Sequence, residues 1–322
     1  MKEKLPAMFL SGVLLLSLTA CGTQEAKKED DGILTIAATT YPVYLLTDMV
    51  VGDMDGIELK LVVDQQISCL HDYTLTVDNM RVLESADVIL INGAGLEEFL
   101  DDALETLDTP VIDCSEGIEL LSYEEHEEHD HDEDDAEHDH DHGEYDPHIW
   151  MDPNRAIQMM TNIAEGLAQV QDVYSREDLL GHMLMPAAHI NEAAQEWKEK
   201  FAALPEAQRK LITFHDGFGY LADAFDLEIL KAIEEESGSE ASAKDIKEIV
   251  ELVRKYAIPV IFAEENGSDA TAKAIQRETG VEIGTLSMIM SDNGLNYLQA
   301  MDENLQTIYT GLTGEELNKD AE

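Results

Sequence analysis

The sequence predicts an α/β fold of two lobes, each a mainly parallel sheet flanked by helices, joined by a long connecting helix. Three observations predict it. Short apolar runs alternate with helix-like stretches from residue 33 to residue 113, and the alternation resumes at residue 210. Strand–helix alternation of this kind gives parallel sheets with crossover helices. Between the two regions, residues 176–204 place Ile190, Ala193, Trp197, Phe201 and Leu204 at spacings of three and four, the pattern of one long helix.

The first lobe opens with a strand at 33–38, a helix at 44–51 and a strand at 57–63. A helix at 79–85 and a strand at 88–92 follow, then a helix at 96–107 and a strand at 111–113. Residues 124–146 break the pattern. They hold six histidines, fourteen acids and no basic residue, so there is almost nothing to bury and a disordered loop is expected. Asp152-Pro153 opens a helix to about residue 170, because proline suits a first helical turn. Pro186 should kink or divide the connector.

The second lobe places strands at 210–214, 227–233, 260–263 and 284–286, with helices at 218–225, 242–256, 270–279 and 296–312. Ser242 with Asp245 three residues on marks a helix start. The acidic tail after Gly314 should fray.

At 322 residues and 44 % hydrophobic, the chain can bury real cores. Lys+Arg is 20 against Asp+Glu 69, a formal charge of −49. That excess repels nucleic acid and anionic lipid and attracts cations.

Lys2 and Lys4 precede an apolar stretch over 8–20 that is too short to span a bilayer and reads as a secretory signal. Leu18-Thr19-Ala20-Cys21 resembles a bacterial lipobox, which implies that cleavage leaves Cys21 lipidated at the outer face of the membrane. The alternative is an ordinary signal with an incidental cysteine. Cys69 and Cys114 then remain, which fits either one disulfide in an exported chain or two independent buried thiols. The division is a signal peptide over 1–20, a tether over 21–32 and an N-terminal lobe over 33–175. The connecting helix covers 176–204, the C-terminal lobe 205–314 and a tail 315–322.

Eleven histidines carry the chemistry. His126, His129, His131, His138, His140 and His142 lie among carboxylates in the acidic loop, where closely spaced imidazoles can gather metal loosely; a solvated charged insert is the bland alternative. His182 and His189 read as ordinary helix-surface residues. The other three differ. His71 follows the second strand, His148 precedes a helix, and His215 follows a strand of the second lobe. Ligand sites of open α/β sheets form at the carboxyl ends of strands, and neutral imidazole is a good zinc ligand.

His71-Asp72-Tyr73-Thr74-Leu75-Thr76, Asp146-Pro147-His148-Ile149-Trp150-Met151-Asp152-Pro153 and Thr213-Phe214-His215-Asp216-Gly217-Phe218-Gly219-Tyr220 together resemble the metal-binding lipoproteins of bacterial zinc and manganese ABC importers. The resemblance covers residues 33–312. It implies a metal cleft between the lobes, with His71, His148 and His215 as ligands, and a monomer that serves a permease and its cytoplasmic ATPase. Histidine at 215, where manganese-type members carry a carboxylate, resembles the zinc type, and imidazole suits zinc better than manganese. Ser287 stands where many members have an aspartate ligand, which leaves the fourth position to a water, Asp292, Glu264, Glu235 or a loop histidine. An adhesin or metal buffer would use the same cleft. A zinc hydrolase would also suit three histidines and a water, but the chain has no HExxH helix and no G-x-S-x-G elbow. It has no P-loop either, so ATP hydrolysis falls to partners.

Overall fold

A computed structural model describes residues 32–65, 70, 73–122, 145–234, 241–265 and 270–315. The first lobe contains β1 (Leu34–Ala38), α1 (Tyr41–Val51), β2 (Ile57–Leu61), α2 (Val77–Ser85), β3 (Val88–Ile91), α3 (Asp101–Leu104) and β4 (Val111–Asp113). Helices α4 (Pro153–Val170) and α5 (Arg176–Ala202) follow. The second lobe contains β5 (Lys210–His215), α6 (Gly219–Ala224), β6 (Glu228–Glu234), α7 (Ala243–Tyr256), β7 (Val260–Glu264), α8 (Ala270–Thr279), β8 (Glu282–Leu286) and α9 (Tyr297–Thr313).

The two sheets share one topology. Their orders are β2-β1-β3-β4 and β6-β5-β7-β8, and every strand pair within them is parallel. Parallel neighbours need crossovers, so all eight carboxyl strand ends point to one edge of their own sheet. The apolar runs read in the sequence become strands buried on both faces: β7 has no exposed residue, and β3 is buried at three of its four positions. Helices cover both faces, which is why such strands can be continuously apolar.

Three apolar cores result. One lies outside the first sheet, around Val62, Leu83, Ile89 and Leu100. Another lies outside the second sheet, around Ile212, Ile249, Ile261 and Ile275. The largest runs through both lobes without a break, from Ile36, Val43 and Leu90 through Trp150, Ile190, Trp197 and Phe201 to Phe218, Phe262 and Tyr297. Residues from Ile33 onward form one compact unit. A shared, close-packed core resists deformation, so the relative placement of the sheets is fixed by packing.

Helix α5 is the strut within that core. Ser175 and Asp178 close a capping box at its start. It runs unbroken through Pro186, contrary to the expected division. Proline removes the hydrogen bond to the carbonyl four residues back. Here Leu179 and Met183 before it and Ile190, Ala194, Trp197 and Phe201 after it are all buried, so packing holds both flanks in one helix.

A second correction concerns residues 96–107. Only α3, with a 3-10 turn over Glu98–Leu100, is helical there. Gly93, Ala94 and Gly95 precede it with φ of 79°, 54° and 84°, and this left-handed run delays the helix start. A third correction concerns the acidic loop. Tyr145 makes an antiparallel bridge with Ser122, and Asp146 is buried, so residues 145 and 146 belong to the folded lobe rather than to the loop. Two helix starts are as expected: Asp152 caps α4 ahead of Pro153, and Ser242 with Asp245 caps α7.

Cys114 is a free thiol, fully buried at the end of β4, rather than half of a disulfide. It packs in the large core as a small apolar side chain. Its expected partner, Cys69, lies outside the described residues, as does Cys21. Among the described residues no helix is long and apolar enough to cross a membrane.

Candidate metal site

The sequence separates His148 and His215 by 67 positions, and the fold brings them together. His215 is the last residue of β5, one position earlier than expected, and is 2 % exposed. His148 caps a 3-10 turn over Ile149–Met151 just before α4, and is 4 % exposed. Their Nε2 atoms lie 3.4 Å apart, with the rings at 88°.

That spacing discriminates between two uses. A nitrogen–nitrogen hydrogen bond would sit nearer 3.0 Å. Two imidazole nitrogens about 2.0–2.1 Å from a tetrahedral ion lie about 3.3–3.4 Å from each other. The observed 3.4 Å falls at the spacing of two ligands on such an ion.

Asp146 orients His148. Its Oδ1 accepts from the His148 backbone N–H at 2.9 Å and lies 2.7 Å from Nδ1. With Nδ1–H donating to the carboxylate, the Nε2 lone pair faces His215. Asp146 is held in turn. Its N–H donates to the Leu121 carbonyl at 2.9 Å, and its carbonyl accepts from the Tyr220 hydroxyl at 2.8 Å. Burial raises the Tyr220 phenol well above its usual range, so it stays a donor.

Two glycines make room for these groups. A Cβ on Gly217 would come within 2.6 Å of Met288 Cε and 2.7 Å of His215 Cδ2. A Cβ on Gly219 would come within 2.9 Å of Asp146 Oδ2. The His215-Asp216-Gly217-Phe218-Gly219 run therefore lets the second lobe close on both imidazoles.

Further bonds tie the lobes here. Trp150 packs edge-on to His148, at 5.3 Å between centroids, and its Nε1–H donates to the Met288 carbonyl at 2.9 Å. The Trp150 carbonyl accepts from Tyr297 at 2.7 Å. Arg155 bridges Asp152 at 2.7 Å and Asp223 at 3.0 Å, with its guanidinium 4.9 Å from the Tyr220 ring.

The other expected residues divide. His71, the six loop histidines and Glu235 lie outside the described residues. Among the described residues no group of three or more His, Cys, Asp or Glu gathers as a cation site. His182 and His189 are exposed on α5. Ser287 is occupied with the local turn: its Oγ accepts from the Ile289 N–H, and its backbone pairs both ways with the Asn304 amide. The Asp292 carboxylate accepts from the Tyr41 hydroxyl at 3.2 Å and from the Gly294 N–H at 2.8 Å, and burial with Asp292 alongside pushes the Tyr41 phenol up to about 12. Glu264 is buried and ends β7. Thr213 pairs with Phe262 across β5 and β7, so His215 and Glu264 end neighbouring strands.

Asp146 stands in the motif around His148, but sequence reasoning counted it with the acidic loop and gave it no role. The signal was its spacing two residues before His148, the distance at which an aspartate accepts from a backbone N–H further on.

Residues 36–311 match the family model described as zinc-uptake complex component A, periplasmic, and the chain belongs to that family. The zinc-binding lipoprotein AdcA of Streptococcus pneumoniae is 30 % identical over 312 residues, covering 94 % of this chain and 60 % of AdcA. This chain thus spans about 60 % of the length of the AdcA relatives it matches. The Zn(II)-bound ZnuA-like domain of the same organism's AdcA superposes with a TM-score of 0.71 at 26 % identity, covering 87 % of this chain and 99 % of that domain. The laminin-binding protein Lmb of Streptococcus agalactiae, described as bifunctional with adhesin and metal-transporting activity, gives 0.72 at 26 % identity over the same shares.

Proposed function

We propose that this protein captures Zn2+ outside the cytoplasm and delivers it to an ABC importer, without catalysing a reaction on it. The observation that carries the reading is the 3.4 Å approach of the His148 and His215 Nε2 atoms, one from each half of the chain, inside a buried site. His71 is the third ligand. A water completes a four-coordinate site. Three neutral imidazoles bind zinc in preference to manganese, and membership of the zinc-uptake family supports the same choice.

The cycle follows from the ligands. Lipid on Cys21 holds the protein at the outer face of the membrane. Zinc enters the cleft, and Asp146 keeps His148 in the ligating tautomer. Docking on the permease then draws the ligands apart, while a cytoplasmic ATPase supplies the energy. The six histidines of the acidic loop gather zinc loosely and raise its concentration near the cleft. A second reading, adhesion, draws on the likeness to Lmb.

Metal analysis of the protein equilibrated with equal Zn2+ and Mn2+ tests the reading. One zinc per chain, lost on His215→Ala, is the expected result. Manganese in preference to zinc, or zinc undiminished in the variant, would overturn it. Laminin binding by the metal-free protein and by His215→Ala tests the adhesin role separately.

A further inference from the structure

The loop after β3 is folded round a carboxylate. Glu97 is buried, and its Oε1 accepts from the Asn92 backbone N–H and from the Thr39 hydroxyl, both at 2.7 Å. Its Oε2 accepts from the Gly93 N–H at 3.1 Å. The chain returns to it through the three left-handed residues Gly93, Ala94 and Gly95. Ala94 has a Cβ, so this conformation costs it energy.

Stability alone does not explain this arrangement. Among the described residues, Asp113 and Cys114 are the ionisable groups that act on Glu97, and neither supplies a positive charge. Burial pushes the Glu97 carboxyl up to about 7. A buried carboxylate without a cation opposes folding when it ionises.

The loop leads to the metal site. Asn92, whose N–H is held by Glu97, donates from Nδ2 to the Pro147 carbonyl at 2.9 Å and to the Gly93 carbonyl at 3.0 Å. Pro147 lies between Asp146 and His148. The Asn92 Oδ1 atom is buried without a partner, so the amide is oriented by its donor end. A turn of the Pro147 peptide would swing the His148 ring out of line with His215, and ligand geometry tolerates little such error.

We infer that Glu97 and Asn92 are positioning residues for His148: the carboxylate fixes the loop, and the Asn92 amide carries that constraint to the Pro147 carbonyl. The inference rests on the reading of His148 as a zinc ligand. The first lobe thus holds His148 from below through Asn92, while Tyr220 of the second lobe holds Asp146 from above.

Asn92→Ala and Glu97→Gln test it, with His148→Ala as the control. Zinc affinity is measured against a competing chelator, and Co2+ is added alone as a spectroscopic probe of site geometry. Each of the two variants should bind zinc about tenfold or more weakly, the usual effect of losing an outer partner. Their Co2+ visible bands should shift, a change that a merely structural role would not produce. Native affinity and an unchanged Co2+ spectrum in either folded variant would overturn the inference, as would failure of both to fold. Native zinc binding by His148→Ala would instead overturn the reading beneath it.

Discussion

The two lobes have the same strand order, yet they bring their histidines to the candidate site by different means. In the second lobe the histidine is part of the sheet: His215 ends β5, and Glu264 ends the neighbouring β7. In the first lobe the corresponding strand ends carry Thr39 and Asn92, and His148 comes from a segment outside the sheet. Strand register places one imidazole, and a set of side-chain hydrogen bonds from Asp146, Asn92 and Tyr220 places the other. A side chain set by register is stiff, and one set by hydrogen bonds is more adjustable.

The largest effects should treat the lobes alike. His148→Ala and His215→Ala each remove one first-lobe or second-lobe ligand, and zinc affinity in a chelator competition should fall by more than about a hundredfold, beyond the range of outer-partner losses. A large loss in only one variant would make the site belong to a single lobe.

The next effects should separate the lobes. Asp146→Asn leaves His148 present but no longer fixes its tautomer, and about a 10–100-fold loss is expected. Gly219→Ala should have a smaller effect of the same kind, because its Cβ would crowd Asp146 Oδ2 at 2.9 Å. Gly217→Ala acts on the other imidazole, through the 2.7 Å approach to His215 Cδ2. If the register account holds, Gly217→Ala should lower thermal stability as well as affinity, because β5 cannot yield, whereas Asp146→Asn should act mainly on affinity.

Acid should weaken binding through both lobes, since protonated imidazole cannot ligate. Zinc affinity measured across pH 5 to 8 should fall as pH drops. Folding stability has an opposite contribution from the first lobe. The folded Glu97 carboxyl is raised from an ordinary 4.5 to about 7, so the folded state binds the extra proton between those values. Its contribution therefore declines as pH rises from 4.5 to 7 and is lowest above 7. Denaturant titration of metal-free protein should show this slope, and Glu97→Gln should remove it. The smallest effect is kinetic: deleting residues 124–144 should slow capture at low zinc and leave one tight site.

How much of this was legible follows the same division. The alternation of apolar runs gave the strands within a residue or two, because parallel strands buried on both faces are continuous apolar runs. His215 was legible because a histidine at the end of such a run falls on the ligand edge of the sheet. The role of Asp146 was not, since burial by Leu121, Tyr220 and Gly219 is tertiary and the local composition is that of the acidic loop. The same holds for the helix expected over 96–107: its apolar spacing is helical, but the Glu97 carboxylate captures the N–H groups of Asn92 and Gly93 and bends the chain into left-handed turns. Pro186 misled in the other direction, because core packing on both flanks outweighs one lost hydrogen bond.

The central claim is that one zinc bridges the lobes through His148 and His215. X-ray absorption at the zinc edge of the protein loaded with one zinc per chain tests it most directly. The account predicts nitrogen and oxygen neighbours at about 2.0–2.1 Å with multiple scattering from at least two imidazoles. Both features should diminish by one imidazole in His148→Ala and in His215→Ala alike. A shell of oxygen without imidazole, or one that neither substitution alters, would contradict it.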